Sequence, residues 1–201
     1  AGIVYNALCS RVVDDVIRKA GGRPIMWMTG HAFIKAKVQK EKVPFGGELS
    51  GHFYFTDKFY PHDDGGYASL RLLDYLTRQN KSLSEVVDAL PEYISSPEIK
   101  ITCPDEKKFD VIHDMAKIVR NDFATQKISE YDNPKEDVYI RVDFPDGMLI
   151  VRPSQNGPYF TIKFEAKDQE TYEERRKYIK ELLHRYPEID WSSGVNLEEI
   201  K

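Results

Sequence analysis

Two cysteines in 201 residues, Cys9 and Cys103, are too few and too far apart for a disulfide framework, and neither sits in a CxxC pair. They read as buried, reduced thiols, which suits a cytoplasmic protein. No run of about eighteen apolar residues and no basic-then-apolar leader is found, so the sequence predicts no transmembrane helix, no secretory signal and no membrane partner. Nor is there an excess of positive charge. Lys and Arg total 29 against 33 Asp and Glu, a formal net charge of -4, so no general attraction for nucleic acid is expected and any anion site must be local. An initiator Met is absent as well, and "AGIVYNALCS" opens directly on a short apolar strand, as a fragment with a truncated first element would. Repeats and low-complexity tracts are missing. What remains is a chain 41% hydrophobic, enough to fill the cores of one large or two ordinary domains.

The first half reads as an α/β layer. Ile3, Val4 and Tyr5 form a buried strand. Ser10 is a candidate N-cap for a helix carrying Val12, Val13, Val16 and Ile17, and Gly21 and Gly22 end it. "RPIMWM" is a second buried strand that leads into "TGH", followed by a short helix with Phe33, Ile34 and Val38. This order predicts a parallel strand pair. Tyr67, Leu70, Leu73 and Leu76 then place an amphipathic helix over 66–79, with another short helix over 84–90. "PEYISSPE" is the best boundary, so domains of 1–96 and 97–201 are expected.

The second half reads as α+β, an antiparallel sheet packed by helices. "EIKITC" is an alternating strand, and Phe109, Ile112, Met115, Ala116 and Val119 recur at helical spacing. "VYIRVDF", "MLIVRPS" and "YFTIKFEA" are three strands, the first two joined by a tight turn at Asp146-Gly147. A last helix over 169–186 faces Tyr172, Arg176, Ile179, Leu182 and Leu183 inward.

Two stretches carry chemistry. In "GGELSGHFYF" an extended backbone puts Glu48, Ser50 and His52 on one face and Gly51, Phe53 and Phe55 on the other, a hydroxyl-reading edge with a hydrophobic back. In "RPSQNGP" a guanidinium, a hydroxyl and two amides sit between strands, and no carboxylate occurs from Gly147 to Phe164. Such a donor set suits phosphate. Standing alone, the first stretch also reads as a turn with a satisfied polar cluster, and the second as an ordinary polar hairpin. His62, Asp63 and Asp64 have metal-ligand chemistry but lie just before a helix, where Asp serves as N-cap and dipole partner.

In order and spacing, "TGH", "GELSGHFYF", "DDGGYASLRLLDYL" and "DGMLIVRPSQNGPYFTIKFEA" resemble the motifs of the α-D-phosphohexomutases, closest to the phosphomannomutase/phosphoglucomutase branch. The resemblance covers nearly the whole chain and corresponds to the third and fourth of the family's four domains. It implies an intramolecular phosphotransferase, an isomerase of carbohydrate metabolism. Such an enzyme interconverts hexose 1- and 6-phosphates through a hexose 1,6-bisphosphate, with Mg2+ in the full-length protein.

By that resemblance Glu48, Leu49, Ser50, Gly51 and His52 bind sugar, and His31 and His52 line the active site. Arg152, Pro153, Ser154, Gln155 and Asn156 hold phosphate. The family's phosphoserine and magnesium loops have no counterpart in this sequence. No metal ligand is therefore expected in the chain, no catalytic residue is assigned with certainty, and the missing N-terminal domains are its expected partners. The chain alone is expected to be inactive. Two departures stand out: Leu8 in "NALCS" replaces a family Lys, and SQNGP replaces SNTTP. The alternatives are a non-catalytic phosphosugar-binding module and a plain structural or interaction domain.

Overall fold

Short apolar strands alternating with helices in the first half, and long alternating strands in the second, produce two different sheets. The computed structural model describes residues 1–60, 62–133 and 137–201. It divides into two compact units, Ala1–Glu92 and Tyr93–Lys201.

The first unit runs β1 (Gly2–Asn6), α1 (Arg11–Lys19), β2 (Arg23–Trp27), α2 (His31–Glu41), β3 (Phe45–Gly47), β4 (Phe53–Phe55), α3 (Gly65–Gln79) and α4 (Leu83–Val87). Its sheet has the order β2-β1-β3-β4. β1 is parallel to β2 and β3, and β4 returns antiparallel to β3. The Ser10 hydroxyl accepts from the Val12 N–H and starts α1 as expected. Val4, Ile34, Val38, Val43 and Tyr54 form the core. Gly46 is required there, because a Cβ on it would lie 2.3 Å from a Val38 methyl. α3 forms where the leucine spacing places it, yet Leu70 and Leu73 stay exposed on it.

The second unit runs β5 (Ile94–Ser95), β6 (Ile99–Thr102), α5 (Asp105–Asp122), β7 (Lys127–Asn133), β8 (Asp137–Phe144), β9 (Gly147–Pro153), β10 (Tyr159–Ala166), α6 (Gln169–Leu183) and β11 (Asp190–Val195). A 3-10 turn, Leu197–Glu199, follows. The antiparallel sheet has the order β11-β6-β10-β9-β8-β7, and β5 extends the pairing of β10. Its core joins sheet residues such as Ile140, Leu149, Val151 and Phe160 to Ile112, Met115 and Val119 of α5 and Ile179, Leu182 and Leu183 of α6.

Two inward assignments shift by one residue. On α5 Ile112, Met115, Ala116 and Val119 are buried as expected, together with Val111, but Lys108 takes the inward place and Phe109 is exposed. On α6 the buried arginine is Arg175, not Arg176. Both shifts have the same cause: a charged side chain that meets backbone carbonyls or an acid inside can displace its neighbour. Arg175 donates to the carbonyl of Glu165 and to Asp146, and lies 4.3 Å from the Phe144 ring centroid. The turn at Asp146-Gly147 forms as expected, with Phe144 opposite Gly147. Gly147 is needed there, since a Cβ would meet the Glu165 carbonyl oxygen at 2.0 Å. Both cysteines are buried, and neither forms a disulfide. Burial pushes the Cys103 thiol up to about 11, with the Glu188 carboxylate adding to the effect.

Candidate functional site

The glycine-flanked stretch at 46–55 is not extended throughout, because residues 48–52 reverse the chain. It is a hairpin, β3 to β4, whose turn closes through Glu48 N–H to the His52 carbonyl (2.9 Å) and Gly51 N–H to the Glu48 carbonyl (3.0 Å). Gly51 adopts φ +88°, a left-handed value that glycine accepts without strain. The expected sharing of one strand face by Glu48, Ser50 and His52 is therefore corrected. A turn groups these side chains, because the antiparallel return of β4 needs the chain to reverse here.

Glu48 organises the turn. It is only 6% exposed, and its carboxylate accepts from the Gly30 N–H (2.8 Å) and the Ser50 hydroxyl (3.1 Å). The first bond ties the turn to the "TGH" bend ahead of α2, where Gly30 has φ +134°. Leu49 is exposed, but its N–H donates to the Asn6 side chain at 3.2 Å. Asn6, at the end of β1, also accepts from the Cys9 thiol at 2.9 Å. The turn is thus anchored from β1 and from the β2–α2 bend, and its carboxylate oxygens keep further lone pairs for hydroxyl donors.

His31 opens α2, and its ring centroid lies 6.0 Å from that of His52. His52 Nδ1 lies 2.5 Å from Asp63, whose other oxygen accepts from the Phe53 N–H at 3.1 Å. Burial by itself would raise the Asp63 carboxyl. The bonds from His52 and Phe53, with the two imidazoles nearby, hold it below the usual carboxylate range. The two aspartates before α3 therefore divide their roles: Asp64 caps the helix by accepting from the Tyr67 N–H at 2.7 Å, and Asp63 orients His52. Among the described residues no three His, Cys, Asp or Glu side chains gather as a metal would require. The Mg2+ that the resemblance implies finds no such group among the described residues.

Tyr54, behind the turn, is 1% exposed, and its hydroxyl meets no hydrogen-bond partner among the described residues. Burial, then the charges of Asp63 and Glu48, push its phenol well above the ordinary tyrosine range. Leu8 is likewise buried, so the turn after β1 presents no cation at that position.

In the second unit, Arg152 and Pro153 end β9, and Ser154, Gln155 and Asn156 lead the loop into β10. Arg152 and Ser154 are buried, and Gln155 and Asn156 are exposed. The Asn156 N–H donates to the Ser154 hydroxyl (3.0 Å), and the Ser154 N–H to the Tyr159 carbonyl (2.8 Å). Lys108 closes the loop from α5, donating to the carbonyls of Ser154 (2.6 Å) and Gly157 (3.0 Å) and to Asp105 (2.6 Å).

Sequence reasoning missed Asn6, the Gly30 N–H, the pairing of Asp63 with His52, and Lys108. The last had a signal. It falls on the 108, 112, 115, 119 stripe of α5, an unusual place for a lysine unless its ammonium is satisfied.

Residues 1–93 match the family domain described as phosphoglucomutase/phosphomannomutase, alpha/beta/alpha domain III. A phosphomannomutase/phosphoglucomutase of Pseudomonas syringae is 33% identical over 94% of this chain and 39% of its own length. A phosphoglucomutase of Neisseria gonorrhoeae is 34% identical over 95% of this chain and 40% of its length. The crystal structure of a phosphoglucomutase/phosphomannomutase family protein from Burkholderia thailandensis has TM-score 0.74 and 31% identity, covering 92% of this chain and 37% of that one. The chain spans about two fifths of the length of the curated relatives it matches. No helix among the described residues is long and apolar enough to cross a membrane. With its motifs in order and relatives matching along nearly all of its length, the chain belongs to the phosphoglucomutase/phosphomannomutase family, the α-D-phosphohexomutases.

Proposed function

We propose that this chain is the substrate-recognition part of a phosphohexomutase that interconverts hexose 1-phosphate and hexose 6-phosphate through a hexose 1,6-bisphosphate. The observation that carries this reading is the buried Glu48 carboxylate, fixed by the Gly30 N–H and the Ser50 hydroxyl. A carboxylate held in place with lone pairs to spare accepts from sugar hydroxyls, and Ser50 adds a group that donates or accepts. His31 and His52 flank it. Arg152, Ser154, Gln155 and Asn156 take the phosphate, with the bidentate guanidinium as the strongest donor.

The phosphoserine that transfers phosphate and the Mg2+ that assists it belong to the parts of the protein outside this chain, in domains 1 and 2 of the four-domain enzyme. This chain supplies domains 3 and 4, divided near residue 96, and works in the cytoplasm, where its two thiols stay reduced. It has no turnover by itself. In phosphoryl transfer, positioning and electrostatics carry most of the catalysis, and positioning is what these loops contribute.

The burial of Leu8 favours a second reading, a phosphosugar-binding module without chemistry, because the family's cation at that position is replaced by an apolar side chain turned inward. Titrating the 15N-labelled chain with glucose 6-phosphate tests the shared part of both readings. Amides at Glu48–His52 and at Arg152–Gly157 should respond. Silence in both groups at millimolar ligand overturns the proposal. Assay of the full-length protein with glucose 1-phosphate and Mg2+ then separates the two, since turnover excludes the module.

A further inference from the structure

We propose that Lys108 is the positioning residue of the phosphate loop: its ammonium, buried behind residues 154–157, turns loop carbonyls inward so that the rim left for an anion carries donors. This deepens the phosphate-binding role of Arg152–Asn156 argued above and rests on it. Lys108 is 4% exposed and sits on the buried stripe of α5. An ammonium has three donors, and here each has an acceptor: the Ser154 carbonyl, the Gly157 carbonyl and the Asp105 carboxylate. An ordinary Asp–Lys pair one helical turn apart lies in water at both ends. In this pair the lysine end is buried, and two of its three bonds reach a loop 46 and 49 residues away.

The consequence for the loop is directional. The Gly157 carbonyl also accepts from the Tyr159 N–H, the Pro158 carbonyl from the Cys103 N–H, and the Tyr159 carbonyl from the Ser154 N–H. The carbonyls of Ser154, Gly157, Pro158 and Tyr159 are therefore all engaged within the unit. The side chains of Gln155 and Asn156 are left at the surface. Carbonyl oxygens on the rim would repel a phosphate dianion, whereas amide donors attract it. The positive charge behind the loop adds Coulomb attraction, and Asp105, with its side chain 63% exposed, opposes it.

Two variants of this chain test the device, each titrated with inorganic phosphate and with glucose 6-phosphate while the loop amides are followed. Lys108→Met removes the charge and both carbonyl anchors and should weaken phosphate binding about tenfold. Asp105→Asn keeps both anchors and removes the opposing charge, so it should tighten binding by about twofold, an effect that fades at high salt. A merely structural lysine predicts no such opposite signs. Wild-type affinity in Lys108→Met, or weakening in Asp105→Asn, overturns the inference. Should Lys108→Met fail to fold, Asp105→Asn decides alone, and the absence of tightening counts against it. Wild-type loop amides that ignore both phosphate probes overturn the phosphate-binding reading itself, a result distinct from any variant effect.

Discussion

The turn at Glu48 and the loop at Ser154 are each built on a buried charge, but of opposite sign. Glu48 collects donors, the Gly30 N–H and the Ser50 hydroxyl, and leaves acceptor capacity at the turn. Lys108 collects acceptors, the Ser154 and Gly157 carbonyls, and leaves a donor-bearing loop. The difference teaches that a fixed charge behind a loop sets the polarity of what the loop shows in front. The turn suits hydroxyl donors, and the loop suits an anion.

The largest expected effect falls on the turn. Glu48→Ala strands the Gly30 N–H and should cost the first unit about 2–3 kcal/mol, since bonds to a buried charge are among the strong ones. Amide hydrogen exchange at Leu49 and Gly51 should speed up while exchange at Ser154 is unchanged. Equal acceleration in both loops would break the view that each is held by its own anchor. Tyr54→Phe has the opposite sign. It removes a buried hydroxyl without a partner among the described residues and should stabilise the unit by about 1 kcal/mol, read as a higher urea midpoint. A lower midpoint would mean the hydroxyl is satisfied after all.

On the loop, Ser154→Ala removes the acceptor of the Asn156 N–H and should cost about 0.5–1 kcal/mol, with weaker phosphate shifts in the same amides. Phosphate titration curves that superimpose on wild type would show that the Ser154 hydroxyl takes no part in the grip.

The smallest effect is a pH dependence. Asp63 is held below its ordinary value of 3.8, so its bond to His52 contributes stability above that pH and loses it as pH falls through the lower folded value. The contribution is a few tenths of a kcal/mol, as expected for a partly exposed pair. Asp63→Asn should flatten this limb of an acid titration followed by His52 imidazole proton shifts. An unaltered limb would assign it to another carboxylate.

Much of the fold was legible because its signals are local. Ser10 followed by Val12, Val13, Val16 and Ile17 announces α1, and the three strands from 138 to 166 follow from alternation and the Asp146-Gly147 turn. β7 and β11 were not foreseen, since "KISEYDN" and "DWSSGV" are too polar to read as strands until β8 and β6 pair with them. The motifs marked which residues form the candidate site, but the alternation argument misplaced Glu48, Ser50 and His52 on a strand face, because a five-residue reversal between two three-residue strands has no period to detect.

The sequence by itself determined most of the helices, the central strands of each half, the family and the identity of the polar residues in both loops, since these rest on residue types and spacings within short windows. Only the tertiary structure decided which charges turn inward. Glu48 meets a backbone N–H eighteen residues before it, and Lys108 meets carbonyls more than forty residues after it. Burial of a charge is stable only where distant backbone groups converge to satisfy it, and that convergence exists only once the chain has folded.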